Sequence, residues 1–340
     1  MVPHTNTAPT AEVGVDLLRL DPARETQRIA AGIRHTVKGL KRRGVVIGVS
    51  GGIDSSVVVY LCARALGKER VLALFMPETD SSSDSLRLGR MVADSLGIRS
   101  VVEDISPILT GARCYERRDE SVRKVVPEYR QHDKCKIVLP NIIDEYRYSI
   151  FSVTVQSPAG ETKTVRLNLT AYLGVIAATN CKQRARKMME YYYADLLRYA
   201  VAGTANRLEY DLGFFVKNGD GSADLKPIAH LYKSQVYQLA AYLGVPAEIQ
   251  QRIPTTDTYP LEQSQEEFYF SLPLAKMDLC LYGKNNAIPA AELASLIGLC
   301  EEQVERVYRI IDSRRRAAHY LQAPPELIQD IEVHSLQKVL

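Results

Sequence analysis

Short apolar runs alternate with segments of helical periodicity through the first two hundred residues of the chain. The apolar runs predict four strands, at positions 45–49, 71–76, 100–105 and 199–202. The periodic segments predict four helices, at positions 22–43, 55–66, 84–96 and 170–197. Short runs of this kind are typical of buried strands. The order of the elements therefore predicts an α/β fold, a doubly wound parallel sheet flanked by helices, with ligands beyond the carboxyl ends of the strands.

The stretch before the last predicted strand departs from this alternation. Positions 113–136 are dense in charge and show no clear periodicity. Positions 148–156 and 162–169 alternate apolar and polar residues around Ser157-Pro158-Ala159-Gly160, which predicts a β-hairpin. We therefore expect an inserted β-hairpin within an excursion at about 106–169.

The remainder of the chain is predicted to be helical. Positions 293–311 indicate two helices around Gly298-Leu299. Three parts follow from the pattern and from a length above that of most single domains. They are a flexible N-terminal segment (1–20), an α/β domain (21–260) and a C-terminal helical part that completes the substrate site (261–340).

Composition and charge narrow the class of protein. The formal net charge of +3 over 340 residues gives no reason to expect nucleic acid or a membrane surface as a partner. No stretch reaches the length of a membrane-spanning helix, and the N-terminus lacks the apolar region of a secretory signal. The six cysteines show neither disulfide-like nor zinc-like spacing. We expect a cytoplasmic protein that acts on small molecules.

A glycine pair follows the first predicted strand, in the sequence Ser50-Gly51-Gly52-Ile53-Asp54-Ser55. Two glycines let successive backbone N–H groups face one concavity, and the helix that follows adds its positive dipole end. Such a loop favours a phosphate group. The Walker and dinucleotide-binding patterns are both absent. The alternative is an ordinary strand-to-helix turn with Asp54 as the helix cap.

The loop resembles the pyrophosphate-binding signature of the N-type ATP pyrophosphatases, which split ATP into AMP and pyrophosphate while activating an acid. The resemblance implies an adenine nucleotide alpha hydrolase-like fold, with Asp54 as a ligand of Mg²⁺ and ATP as co-substrate. It also implies that eight consecutive residues contact ATP, namely Gly48, Val49, Ser50, Gly51, Gly52, Ile53, Asp54 and Ser55.

A second signature begins after the last predicted strand. Gly203-Thr204-Ala205-Asn206-Arg207-Leu208-Glu209 follows that strand and should open onto the same strand-end crevice. With the glycine- and acid-rich loop at 213–225, it resembles the matching stretch of ammonia-dependent NAD synthetases. That likeness runs from Asn180 to Asp257. These enzymes use ATP to amidate deamido-NAD with ammonia.

This second resemblance implies a role for each matching residue. It makes Glu209 a second Mg²⁺ ligand, and it makes Asp54 and Lys233 the catalytic residues. The implied contacts to ATP are Thr204, Lys233 and Thr255, and those to deamido-NAD are Arg184, Lys217 and Asp224. Simpler interpretations exist, since Glu209 could pair with Arg207 or Lys217 on the surface, and Arg184 could belong to a solvated helix face.

The sequence also departs from the family. Members commonly carry a His-Lys pair that touches deamido-NAD, and the aligned place here holds Arg314-Arg315. An arginine fork keeps the positive charge but changes the hydrogen-bond geometry. The excursion at 113–169 is also longer than in compact members. A related ligase that amidates another carboxylate is therefore the first alternative, and a nucleotide-binding regulator without catalysis is the second.

Free ammonia is the expected nitrogen source, because no glutaminase segment is evident in the sequence. A separate subunit that supplies ammonia is the other possibility. The resemblance further implies a homodimer, with the substrate crossing the subunit boundary.

Overall fold

A computed structural model describes residues 16–130, 132–138, 151–255, 259–261, 263 and 272–329. The predicted flexible segment at 1–20 lies mostly outside these residues. Within them the helices are α1 (Pro22–Gly39), α2 (Ile53–Leu66), α3 (Ser83–Leu96), α4 (Ser106–Gly111), α5 (Cys114–Arg123), α6 (Leu169–Leu197), α7 (Arg207–Leu212), α8 (Lys233–Leu243), α9 (Ala247–Gln251), α10 (Leu274–Asn285), α11 (Ala290–Ile297) and α12 (Glu301–Gln322).

Four parallel strands form the central sheet, as the pattern of apolar runs predicts. In sheet order they are β3 (Arg99–Val102), β2 (Val71–Phe75), β1 (Val45–Gly48) and β7 (Ala200–Val201). The register places Val45 opposite Val71 on one side and opposite Ala200 on the other. The predicted strand at 100–105 ends earlier as a strand, although Glu103 N still donates to Phe75 O.

Both faces of this sheet are buried. Val45 and Ile47 point to the face that packs against α1, α2, α3 and α8. Val46 and Leu72 point to the opposite face, which α4, α5 and α6 cover. Because neighbouring strand residues point to opposite faces, two covered faces explain why the strands are almost continuously apolar. The doubly wound class is confirmed.

The strand order creates a crevice between β1 and β7. From β1 the chain proceeds outward through β2 to β3, and then it crosses the sheet and returns as β7 on the other side of β1. Ligands of doubly wound sheets bind where the strand order reverses, beyond the carboxyl ends. The loop at Ser50 and the loop at Gly203 follow β1 and β7, so both signatures meet at this crevice.

A second sheet is inserted in the crossover from β3 to β7. The predicted hairpin is present as β5 (Ser152–Gln156) and β6 (Thr162–Arg166). A third antiparallel strand, β4 (Lys134–Val138), pairs with β5 and lies in the stretch where the sequence indicated no clear structure. Its buried Cys135 and Ile137 pack with residues of β5, α5 and α6 in a separate apolar cluster.

Most predicted helix boundaries agree with the structure. Asp21 caps α1 by accepting from Ala23 N and Arg24 N. The helix predicted at 84–96 begins one residue earlier as α3, and Ser82 is its N-cap, whose hydroxyl accepts from Asp84 N. The two helices expected around Gly298 are α11 and α12, which pack with α7 and α10.

Candidate active site

The loop after β1 has the backbone of an anion cradle. Gly51 adopts a φ of +74°, and a Cβ there would lie 2.7 Å from Ser85 O. Gly52 is the N-cap of α2 and provides no side-chain cap. The alternative in which Asp54 caps this helix is therefore wrong, since Asp54 lies in its first turn. The amide groups at the start of α2 face the crevice together with the positive end of its dipole.

Two serine hydroxyls line the same loop. Ser50 Oγ lies 3.4 Å from Ser55 Oγ and accepts from Gly52 N at 3.3 Å. Ser55 Oγ also donates to Gly52 O at 3.1 Å. Hydroxyls can reorient, so both can redirect a hydrogen bond to a phosphate oxygen.

Asp54, which belongs to the first signature, contacts residues that follow in the second half of the site. Its Oδ2 accepts from Lys233 Nζ, and its Oδ1 accepts from Asn206 Nδ2 at 3.0 Å. Residues far apart in sequence are therefore joined through one carboxylate. Lys233 is only 2 % exposed, so its contact with Asp54 is shielded from water and is stronger than a surface ion pair.

Asn206 places Glu209 beside this pair through a capping box at the start of α7. Asn206 Oδ1 accepts from Glu209 N, and Glu209 Oε2 accepts from Asn206 N, both at 3.1 Å. Glu209 is thus half-buried in the wall of the cleft, next to Asp54 and Lys233. The sequence signal for this arrangement was the Asn-x-x-Glu spacing, which identifies Asn206 as a site residue that the prediction lacked.

Additional positive charge would stabilise the group formed by Asp54, Glu209 and Lys233. Burial and, after it, the nearby Asp54 carboxylate together raise the pKa of Glu209 to about 8. Burial acts to lower the pKa of Lys233, but Asp54 and Glu209 outweigh it and the pKa is raised. Two carboxylates facing one lysine fit a divalent cation, because such a cation would stabilise both negative charges.

Asp278 fixes the start of α8 and was not predicted. Its Oδ1 accepts from Lys233 N at 3.1 Å, and its Oδ2 accepts from Ser234 N at 2.7 Å. The residue is fully buried, and burial raises its pKa to about 6. Asp278 lies on α10, so a helix of the C-terminal part positions the backbone of Lys233.

One cleft contains five residues of the predicted phosphate loop and the three further predicted ATP contacts, whereas Gly48, Val49 and Gly51 of that loop are not among its lining residues. Its walls are formed by Ser50, Gly52, Ile53, Asp54, Ser55, Ser85, Thr204, Glu209, Lys233, Ile249, Arg252, Ile253, Pro254 and Thr255. Thr204 and Thr255 lie in this lining, which places the three predicted threonine and lysine contacts around one space.

The predicted substrate contacts form separate groups. Arg184 is exposed and its Nε donates to Lys217 O at 3.3 Å. Lys217 Nζ donates to Tyr320 O at 2.9 Å and lies over the Tyr320 ring. Asp224 Oδ2 accepts from Val201 N at 2.7 Å, and Asp224 Oδ1 accepts from Tyr191 Oη at 3.3 Å. Arg184 and Lys217 are thus brought together, whereas Asp224 is bound to the end of β7.

Arg314 and Arg315 lie on α12. The Arg315 guanidinium donates to both oxygens of Asp211 at 2.7 Å and also contacts Asn285. Burial acts to raise the pKa of Asp211, but Arg315 outweighs it and the pKa is lowered. This bidentate pair joins α12 to α7, so Arg315 has a structural role in addition to any contact with substrate.

The described part of the chain has neither a cluster of metal-binding side chains nor a membrane-spanning helix. In that part no group of three or more His, Cys, Asp or Glu side chains is arranged to hold a metal ion. None of the helices described is both long and apolar enough to cross a membrane.

The fold and the cleft together define a class, the doubly wound α/β proteins with an anion cradle at the point where the strand order reverses. Within that class, the chain belongs to the NAD synthase family, whose model matches residues 25–131 and 141–324.

Similar proteins extend along nearly the whole chain. An NH(3)-dependent NAD(+) synthetase of Mesorhizobium japonicum is 58% identical over 93% of this chain and 99% of its own length. One of Thermotoga maritima is 33% identical, over 82% of this chain and 92% of its own.

Two solved structures share the fold at lower identity. An NH3-dependent NAD synthetase from Campylobacter jejuni has a TM-score of 0.58 at 22% identity, over 91% of this chain and all of its own. An NMN synthetase from Francisella tularensis has a TM-score of 0.57 at 19% identity, over 93% of this chain and all of its own.

Proposed function

We propose that the chain is an ammonia-dependent NAD synthetase, which amidates the nicotinic acid carboxylate of deamido-NAD and converts ATP to AMP and pyrophosphate. The observation that carries this proposal is the 58% identity to an NH(3)-dependent NAD(+) synthetase over almost the full length of both chains. The geometry supports it, because the cleft combines an anion cradle, a buried lysine and two carboxylates.

The first chemical step joins the substrate carboxylate to ATP. A carboxylate oxygen attacks the α-phosphorus, the bond to the bridging oxygen breaks, and pyrophosphate leaves. Backbone amides at Gly51 to Ser55 and the Lys233 ammonium would receive the charge that develops on the leaving group. Asp54 and Glu209 would hold Mg²⁺, which supplies further charge neutralisation when bound.

The second step is attack by ammonia on the carbonyl carbon of the acyl adenylate. The carbon–oxygen bond to the phosphate breaks, AMP leaves, and the nitrogen loses a proton to give the amide. Ammonia is itself the nucleophile, so a covalent intermediate with the protein is not required. The protein contributes by holding the two reactants together and by neutralising the departing phosphate.

Substrate recognition is assigned to the residues outside the ATP part of the cleft. Arg184, Lys217, Asp224, Arg314 and Arg315 would contact deamido-NAD. Arg184 and Lys217 provide adjacent positive charge for the dinucleotide phosphates, because Arg184 is exposed and hydrogen-bonds the backbone of Lys217. The two arginines of α12 replace the usual His-Lys pair.

We further propose that the enzyme is a cytoplasmic homodimer. The long helix α6 exposes five large apolar side chains, Leu169, Leu173, Met188, Tyr192 and Leu196. Three of them are spaced four residues apart and share one face of the helix. Exposed apolar groups in a row are typical of an interaction surface, and a second copy of the chain is the occupant that the family likeness favours.

The test is incubation of the purified protein with deamido-NAD, ATP, Mg²⁺ and ammonium, with NAD, AMP and pyrophosphate measured together. Equal yields of the three products are expected. Release of AMP and pyrophosphate without NAD, and only when another acid is added, would instead support amidation of a different carboxylate. Nicotinic acid mononucleotide belongs in that screen, because a protein of this fold is named an NMN synthetase. Absence of AMP release with every acid would favour the non-catalytic regulator.

A further inference from the structure

The described residues that follow Thr255 pack against the inserted sheet. Tyr259 is 4 % exposed and belongs to the apolar cluster of that sheet, together with Tyr129, Ile137 and Val153. The same cluster contains Ala171 and other residues of α6. Tyr259 is therefore fixed to a rigid body made of the sheet and the longest helix.

Two hydrogen bonds continue this contact along the outer edge of β4. Leu261 N donates to Cys135 O at 3.3 Å, and Gln263 Nε2 donates to Ile137 O at 2.6 Å. Cys135 and Ile137 are two residues apart, so their carbonyls point to the same side of the strand. β4 pairs with β5 along one edge only, so its other edge is the free edge of the sheet. Leu261 and Gln263 cover this free edge.

This attachment lies only a few residues from the ATP part of the cleft. Thr255 lines the cleft with Asp54 and Lys233. The four residues from Thr255 to Tyr259 can span at most about 14 Å. Because Tyr259 is buried in the sheet cluster, the positions open to Thr255 are restricted. Gln263 is 2 % exposed, so water does not compete for its hydrogen bond to Ile137.

We propose that the inserted sheet positions Thr255, and that Tyr259 and Gln263 are positioning residues which act through that threonine. The inference rests on the proposed function, in which Thr255 contacts ATP. It gives the excursion at 113–169 a role, which is to support the wall of the nucleotide site from outside the central sheet.

The test compares Gln263→Met with wild type. Methionine keeps the length of the side chain and removes the donor to Ile137 O. The KM for ATP should rise about fivefold, the scale of one lost hydrogen bond, while kcat and the KM for ammonium change little. Hydrogen exchange at the backbone amides of Ile253 and Thr255, which flank Pro254, should become faster in the protein without substrates. Tyr259→Leu, which shortens a buried ring in the same cluster, should act in the same direction.

Gln322→Met is the matched control, since Gln322 on α12 also donates its Nε2 to a backbone carbonyl, that of Tyr210, at 2.6 Å and lies outside the inserted sheet. It should leave the KM for ATP and the exchange at 253–255 unchanged. The proposal is overturned if Gln263→Met leaves the KM for ATP unchanged, whether or not exchange becomes faster. It is also overturned if kcat alone falls. A wild-type protein that forms no NAD would contradict the proposed function, and the exchange measurement would still report whether the attachment restrains residues 253–255.

Discussion

At the scale of single residues, Asp54 is the side chain that connects the two parts of the cleft. Its two oxygens receive Asn206 and Lys233, which come from α7 and α8. Neutralising this side chain would leave Lys233 buried without its closest negative partner and would remove one proposed ligand of Mg²⁺. A single substitution at this position therefore tests the proposed chemistry, provided that folding is checked in the same variant.

The variant Asp54→Asn should reduce kcat about a hundredfold, the scale found when one charge-stabilising group is removed. The amide keeps the volume of the side chain and can still accept from Asn206, so the protein should remain folded by circular dichroism. Asp84→Asn is the control, because Asp84 is exposed and pairs only with Arg87 in the described contacts. A rate near that of wild type in Asp54→Asn would exclude the proposed role.

Gly51 offers a test of the cradle itself. Gly51→Ala combines a positive φ with a contact of 2.7 Å between the new Cβ and Ser85 O. We expect a loss of roughly 2 to 3 kcal/mol in the free energy of unfolding, measured with urea. Gly97→Ala has a similar positive φ, but its nearest neighbour is the flexible end of Lys68 at 3.7 Å. It should lose only about 1 kcal/mol, and equal losses in both variants would mean that the contact with Ser85 is unimportant.

Local patterns in the sequence predicted the residues of the cradle, and they could also have identified Asn206, whose capping-box spacing is visible in the chain. Asp278 is different. It lies 45 residues from Lys233 along the chain and caps α8 through tertiary packing. A helix cap that comes from a distant element leaves no signal near the helix that it caps, which is why the sequence did not reveal it.

At the scale of elements, α8 depends on α10 for its first turn. Asp278 accepts from two backbone N–H groups of α8 while fully buried, and burial raises its pKa to about 6. An unfolded aspartate titrates near 3.9, so the folded protein binds more protons than the unfolded chain between about pH 4 and 6. The stability contributed by this group is present below about pH 4 and is lost as the pH rises through about 6.

The variant Asp278→Asn makes this dependence measurable. The free energy of unfolding of wild type minus that of the variant should fall by up to about 2 to 3 kcal/mol between pH 4 and 6. Denaturant unfolding at several pH values provides the measurement. Asp312→Asn, which removes a partly exposed partner of Lys284, should show no such slope. A difference that rises with pH would contradict the raised pKa.

In the inserted sheet, the sequence predicted the strands β5 and β6 but not β4. The two strands of the hairpin were found because alternation and turn residues occur together. β4 also alternates, with Lys134 and Lys136 each followed by a buried residue, Cys135 and Ile137, but it is short and begins in a stretch dense in charge. Its partner β5 is separated from it by many residues, so no local turn marks the pairing. The central strands β1, β2 and β7 were easier, because they are buried and almost entirely apolar, whereas the edge strand β3 is largely exposed.

At the scale of the whole molecule, α6 links three features. It covers one face of the central sheet, it packs against the inserted sheet, and it exposes a row of apolar side chains. Leu196, at 64 % exposed, is among the most accessible of them. The contacts with the two sheets account for the length of the helix. The exposed row is the surface at which we propose that the second copy of the chain binds.

The variant Leu196→Glu should weaken the proposed homodimer. A charge in the centre of an apolar contact loses its hydration without a partner. Light scattering coupled to gel filtration should show a shift from dimer toward monomer. Lys163→Glu, on the exposed strand β6, changes charge away from that face and should leave the mass unchanged. A wild-type protein that is monomeric at every concentration would exclude the dimer.

Because an aspartate from α10 caps the helix that begins with Lys233, the C-terminal helical part (261–340) helps to position a residue of the proposed catalytic site. A truncated chain that ends near residue 260 would retain the whole parallel sheet and both glycine-containing loops. We expect it to lose turnover all the same, since the amide groups at Lys233 and Ser234 would have no carboxylate to receive them. Attempts to reduce this protein to a minimal ATP-binding fragment should therefore keep α10 through α12.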